Sequence, residues 1–317
     1  MKVVVVGYGS IGKRHVSNLL ALGISEIILF RSSAKGNELN LKEVTQLEDI
    51  IKIGPDFVVV SNPTSLHFQT LKFLVQYQFN ILCEKPFLHK PEEWDLLKPS
   101  LNNYKGNANI VFNLRFHPCV QKVKELIFEG TLGKIHSARF FVGQYLPDWR
   151  PETNHLDSYS ASKQMGGGVV MDLVHEIDIA EYLIGKPHGE IHSIVSKVSD
   201  VTLDSADIAE ILYSTINSEI VNIHMDYLYR GYSRHFSICG KEANLHCDLF
   251  KNTIKMTGDK NKKIEYFEFK DFERNHMYLD LISDYIKGLT NTSFQSRLPS
   301  FHENESVMHT CFQINNY

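Results

Sequence analysis

Three glycines near the start of the chain have the spacing that cradles a pyrophosphate: Gly7-Tyr8-Gly9-Ser10-Ile11-Gly12, between the apolar run Val3 to Val6 and a segment of helical periodicity. Gly7 permits the tight turn, Gly9 lets the backbone approach a phosphate, and Gly12 lets the helix pack closely on the strand. The helix N-terminus adds partial positive charge. A plain glycine turn is the alternative, and the strand-then-helix context argues against it. The second strand ends in Leu29-Phe30-Arg31-Ser32-Ser33. Binders of NAD usually place Asp or Glu there to accept from the ribose 2′-hydroxyl, whereas a guanidinium beside hydroxyls suits a 2′-phosphate. NADP is therefore expected ahead of NAD, with Arg31 as a solvated surface residue the competing reading. Two later segments, Ser61-Asn62-Pro63-Thr64-Ser65-Leu66-His67 and Cys83-Glu84-Lys85-Pro86, fall where loops at the carboxyl ends of strands line a ligand crevice. They bring Asn62, Pro63, His67, Glu84 and Lys85 into the expected cofactor-contacting set, beside Gly7, Tyr8, Gly9, Ser10, Ile11, Gly12, Arg31 and Ser32.

Further along, Asp172 and His175 lie three apart, so on a helix starting after Gly166-Gly167-Gly168 they share a face that Asp178 continues. A local helix pair is the bland account of the same spacing. Pro86 removes a backbone donor and holds Lys85 extended, which fixes the direction of the lysine, although a lysine at a strand end is ordinarily a surface group. The segment from Gly143 to Pro151 reads as a loop in which Trp149 is flanked by Asp148 and Arg150. An aromatic face between charges suits a ring bearing hydroxyls, a carboxylate or a phosphate, and Trp149 reads equally well as a packing residue. Fifteen histidines form no His-Glu-x-x-His and no tight His/Asp cluster, so no metal site is expected. Tyr227, Tyr229 and Tyr232 read as a sheet face rather than a base-stacking platform, and Lys260, Lys262 and Lys263 as a solvated turn.

These residues need elements to hold them. Short β-branched runs alternate with helical patterns over the first 118 residues: Val3 to Val6, Ile27 to Phe30, Phe57 to Val60, Ile81 to Cys83 and Ile110 to Leu114 as strands, with helices from Ile11 to Gly23 and from Ser65 to Tyr77. That alternation predicts an N-terminal Rossmann domain, α/β with a doubly wound parallel sheet, over 1–118. From 119 to 317 the texture predicts an α+β substrate-binding and oligomerisation domain around an open, mostly antiparallel sheet. Its strands are Ile135 to Val142, Ile191 to Val198, Ile208 to Ser214, Val221 to Tyr229, His235 to Cys239 and Ile264 to Phe269, and its helices run from the triglycine to Gly185 and from Phe272 to Leu289. A length of 317 residues suits two domains, and 43% hydrophobic residues suffices for packed cores. Lys plus Arg at 33 against Asp plus Glu at 37 leaves a net charge of −4, which disfavours a nucleic-acid binder. Five scattered cysteines without a Cys-x-x-Cys pair, and no signal or membrane segment, place the chain in a reducing cytoplasm.

Taken in order, the glycine fingerprint, Pro63-Thr64 with His67, Glu84-Lys85-Pro86, Asn113-Leu114-Arg115-Phe116-His117-Pro118, the triglycine, and Asp172 with His175 resemble the Gfo/Idh/MocA family of dinucleotide-dependent oxidoreductases across essentially the whole chain. The resemblance implies that Lys85 is the catalytic lysine and His175 the acid/base residue, with Asp172 beside it, and that the second sheet often builds a homodimer or homotetramer. It also implies Asn113, Arg115, Trp149, Arg150 and His175 as substrate-binding candidates. One departure is plain: the commoner family spacing puts the aspartate four residues before the histidine, where this chain has Met171. The segment from Gly143 to Pro151 resembles a branch found in sugar and surface-polysaccharide metabolism. The expected activity is hydride transfer between a nicotinamide cofactor and a hydroxyl or keto group of a sugar, sugar acid or nucleotide sugar. Two rivals remain: a redox-neutral NAD-dependent glycosidase working by oxidation and elimination, and a non-catalytic dinucleotide-binding regulator.

Overall fold

The structure, a computed structural model, describes residues 1–149, 167–258, 265–291 and 293–315. Four successive valines, all fully buried, make β1 (Lys2–Val6) the centre of a sheet covered on both faces. Around it lie β2 (Glu26–Phe30), β3 (Lys42–Val44), β4 (Phe57–Val60), β5 (Ile81–Cys83) and β6 (Ala108–Ile110), all parallel, in the order β3-β2-β1-β4-β5-β6. The order reverses between β1 and β4, the switch point at whose carboxyl ends ligands of such sheets bind. The connecting helices are α1 (Ser10–Ala21), α2 (Glu48–Ile53), α3 (His67–Gln76) and α4 (Pro91–Leu101). Helix α1 buries Val16 and Leu19 and stops where Gly23 takes φ +80°.

Helix α5 (Pro118–Phe128) precedes the second sheet, which holds β7 (Ile135–Gln144), β8 (His192–Ser196), β9 (Ile208–Ser214), β10 (Ile220–Asp226), β11 (Tyr232–Gly240), β12 (Ala243–Asp248), β13 (Thr253–Gly258) and β14 (Glu265–Glu268). The order is β14-β13-β12-β11-β7-β10-β9-β8, and among the described residues only β7 and β10 pair in parallel. Period-2 burial along β9 to β12 gives that sheet an inner face packed with α6 (Val169–Asp172) and α7 (His175–Leu183). Helices α8 (His276–Thr290) and α9 (Glu305–Ile314) close the chain. Both fold classes expected from the sequence are present.

Contacts divide the chain into two units, one of residues 1–113 with 274–305, the other of 114–273 with the stretch from Ser306 on. Helix α8, placed by sequence in the second domain, thus belongs to the N-terminal unit. It packs on α1 through reciprocal Asn18–Asn275 side-chain bonds of 3.2 and 2.8 Å, with the Arg14 guanidinium 5.0 Å from the Tyr278 ring.

Several expected elements differ. The strand read as Ile110 to Leu114 ends at Ile110, because Phe112 N turns back on Ile110 O and residues Asn113–Phe116 form a 3₁₀ turn. The single helix expected up to Gly185 is two, interrupted at Leu173 (φ −97°, ψ 23°). The strand read to Tyr229 ends at Asp226, whose carboxylate captures the next backbone N–H groups, so Tyr227 and Tyr229 are not in a strand. Gly166, Lys260, Lys262, Lys263 and Ile264 lie outside the described residues. No helix among the described residues is long and apolar enough to cross a membrane.

Candidate active site

In the N-terminal unit the three glycines are crowded to different degrees. Gly7 has φ +89°, and a Cβ there would stand 2.6 Å from Asn62 N and 2.8 Å from Ser61 C, so the turn after β1 lies directly on the turn after β4. A Cβ at Gly12 would strike Gly7 O. At Gly9 it would meet nothing within 4 Å. Gly9 is also the N-cap of α1; it provides no side-chain cap, and the first turn holds no acidic residue. Helix α1 therefore presents uncapped N–H groups and its positive end to the space beside Gly9, which is what a pyrophosphate requires. Nearby, Asn62 Oδ1 is buried without a hydrogen-bond partner among the described residues. Donor set and open cradle both fit a dinucleotide.

Tyr8 lies between Lys13 and Arg31, whose charged groups are 5.3 and 5.7 Å from its ring, and its hydroxyl donates to Glu38 at 3.2 Å. Arg31 donates through one terminal nitrogen to Gly36 O at 3.0 Å and Glu43 Oε1 at 2.9 Å. Hydrogen bonds from the Asn37 side chain, the Lys35 backbone and Arg31 hold the Glu43 carboxyl low, at about 2. Glu43 thus fixes the guanidinium at the end of β2; Ser32 beside it is exposed.

The turns after β4 and β5 are joined by His67, whose ring nitrogens lie 2.9 Å from Asn62 O and 3.1 Å from Pro86 O. Burial pushes its pKa down, which favours the neutral ring. Glu84 accepts from the fully buried His15 Nε2 at 2.7 Å, and its other oxygen accepts from Lys85 N at 3.3 Å. Lys85 is half-buried and precedes a cis bond to Pro86. The structure therefore brings Gly7, Asn62, His67, Glu84 and Lys85 into one hydrogen-bonded ridge along the carboxyl ends of β1, β4 and β5. Asn113, buried, is the last residue of that unit before the chain crosses over.

In the second unit Asp172 closes α6 and His175 opens α7, both buried. Tyr227 donates to Asp172 Oδ2 at 2.7 Å. Next to His175, Glu176 pairs with Arg234 at 2.8 Å, and one turn on Asp178 receives Arg115 in bidentate fashion at 2.9 and 2.6 Å. Burial raises the Asp178 pKa against the pull of that guanidinium. Arg115 is thus held against α7 by a wholly buried carboxylate. Trp149 donates to Gln144 O at 3.2 Å and sets its ring edge-on to Tyr227, centroids 5.3 Å apart. Arg150 lies outside the described residues. Sequence reasoning missed His15, Arg234 and the role of Tyr227. Only Tyr227 carried a signal: it continues the inward phase of Val221, Ile223 and Met225.

Residues 1–107 match the model of an oxidoreductase family with an NAD-binding Rossmann fold, and residues 120–246 match the GFO/IDH/MocA C-terminal domain. The chain belongs to the Gfo/Idh/MocA family. Among its relatives in the family, myo-inositol 2-dehydrogenase of Thermotoga maritima is 23% identical over 91% of this chain and 88% of its own length. An uncharacterised oxidoreductase of Bacillus subtilis, YrbE, is 25% identical over 60% of this chain and 55% of its own, so the match spans about half of that relative. A levoglucosan dehydrogenase solved with NADH superposes with a TM-score of 0.87 at 18% identity, covering 99% of this chain and 95% of that one, a likeness that establishes the fold. Among the described residues no cluster of three or more His, Cys, Asp or Glu side chains is arranged to hold a metal ion.

Proposed function

We propose that this chain is an NADP-preferring dehydrogenase or reductase acting on a hydroxyl or keto group of a sugar, sugar acid or nucleotide sugar. The observation that carries the reading is the glycine turn, in which Gly7 and Gly12 are filled by backbone while Gly9 alone opens to space at an uncapped helix end. A bound nicotinamide would supply the hydride acceptor or donor. His175 takes the proton of the reacting hydroxyl as general base. Lys85 holds the substrate oxygen with its ammonium group and steadies the negative charge that develops on it. Asp172 accepts from a substrate hydroxyl, and Trp149 offers an apolar face to C–H groups. Support for a sugar comes from the relatives named for myo-inositol and levoglucosan. Support for NADP comes from Arg31, held by Glu43 and Gly36 through one nitrogen, the rest of its fork having no hydrogen bond among the described residues and so being able to face a 2′-phosphate.

Exposed Ile194 and Leu212 on the outer face of the eight-stranded sheet support a homodimer or homotetramer, and five unpaired cysteines support a cytoplasmic setting. The test is a screen of myo-inositol, levoglucosan, sugar acids and nucleotide sugars, followed through nicotinamide absorbance with each cofactor. Lys85→Met should abolish turnover on the best substrate while NADPH still binds. Full activity in that variant, or tighter binding of NADH than of NADPH, would overturn the corresponding part of the proposal, and glycoside cleavage without absorbance change would favour the redox-neutral rival.

A further inference from the structure

Tyr227 follows β10 in the inward phase, is fully buried, and donates its hydroxyl to Asp172 Oδ2 at 2.7 Å. The turn that aims it is built by Asp226. One oxygen of that carboxylate accepts from the N–H groups of Leu228 and Tyr229 at 2.7 and 2.6 Å. The other meets His224 Nε2 at 2.8 Å, and His224 Nδ1 in turn lies 2.5 Å from Glu210 on β9. The main chain of Tyr227 is tied on both sides, its N–H to Asp207 O and its carbonyl to Leu146 N, each at 2.9 Å. Trp149 closes on the ring edge-on. Backbone, ring and turn are therefore fixed without help from Asp172. Asp172 ends a helix of four residues, at the break before α7, with its N–H on Gly168 O at 3.0 Å.

From this we infer that Tyr227 is a positioning residue whose hydroxyl sets the orientation of the Asp172 carboxylate and, through it, that of the substrate alcohol toward His175. The inference rests on the function proposed above for Asp172 and His175. A phenol donating to a carboxylate forms a charge-assisted bond, about twice as strong as a neutral one and directional enough to select one rotamer. A core role alone would need only the ring, which Phe supplies equally well.

The experiment compares Tyr227→Phe, Asp172→Asn and the double variant in steady-state kinetics with the best sugar of the screen, alongside thermal melts. Tyr227→Phe should lower kcat ~10- to 100-fold with KM changing less than about threefold, the loss expected for one charge-assisted bond that acts in the transition state. Its melting temperature should fall by a few degrees, the cost of leaving one buried acceptor without its donor, and the Asp172→Asn melt calibrates that loss. The double variant should be no slower than Asp172→Asn, because the positioning effect runs through that carboxylate. Wild-type kcat in Tyr227→Phe, or a loss that adds in full to that of Asp172→Asn, would overturn the inference. His175→Ala serves as the control: full activity there sinks the function reading and the inference with it, whereas an inactive His175→Ala beside an unaffected Tyr227→Phe sinks the inference alone.

Discussion

Placing a methyl group at Gly9 should weaken cofactor binding while leaving the stability of the fold nearly unchanged. Gly9 has φ −82° and ψ −165°, extended backbone open to any residue, and its Cβ would meet no protein atom within 4 Å. Gly9→Ala restricts the unfolded chain, a gain of about 0.4–1 kcal/mol, but Gly9 is the N-cap of α1, where alanine is poorer than glycine by a comparable amount, so the two effects roughly cancel. The same methyl occupies the space through which a phosphate reaches the backbone. Losing one charge-assisted N–H···phosphate bond costs about 1.5–3 kcal/mol, so Kd should rise roughly 10- to 150-fold. Gly7→Ala is the contrasting variant. There φ is +89° and the Cβ would lie 2.6–2.8 Å from the backbone of Asn62 and Ser61, so stability and binding should fall together. Fluorescence titration with NADPH and NADH, paired with thermal melts, separates the two effects. A Gly9→Ala protein that binds both cofactors with wild-type Kd would refute the placement of the pyrophosphate, and one destabilised by more than about 2 kcal/mol, beyond what an N-cap alanine costs, would refute the open cradle.

Arg115→Ala should cost about 3–5 kcal/mol in urea unfolding, because it strands the fully buried Asp178, and adding Asp178→Asn should recover part of the loss; a change under about 1 kcal/mol would mean the pair behaves as a surface one. Glu181 on α7 is raised from 4.5 to about 7, chiefly by burial, with Ser306 donating to it and Asp178 adding repulsion. The folded state keeps that proton where the unfolded chain has released it, so stability falls as pH rises from about 4.5 through 7. Glu181→Gln should flatten this dependence, raising stability at pH 8 relative to wild type by on the order of 2 kcal/mol while leaving it little changed near pH 5.

Strands whose residues are β-branched and buried on both faces were legible, because β1 and β4 contain little else. Strands β12 and β13 were not assigned. Their alternation is real, with Leu245, Cys247, Ile254 and Met256 inward, but it is spread over Ala, Asn, His, Lys and Thr, which carry weak or mixed strand signals. Helix α4 escaped because Pro99 stands inside it, and a proline there reads as a break. The tight fit of Gly7 and Gly12 was legible, since close approach of backbone leaves no choice of residue at those two positions. What the sequence withheld were partners distant along the chain. Nothing near Arg115 announces that Asp178 will hold it, nor does anything near Glu84 point to His15. Long-range ion pairs have no periodicity to betray them.

The N-terminal unit takes in residues 274–305 as well as 1–113. During synthesis its first stretch must wait while roughly 160 further residues leave the ribosome, about 10–30 s at ordinary elongation rates. Until α8 arrives, the α1 surface carrying Asn18 and Arg14 lacks its partner. The second unit can pair most of its sheet in that interval and itself waits only for the stretch from Ser306 on, so a nascent chain stalled before residue 274 would expose an unfinished nucleotide-binding half to chaperones and proteases.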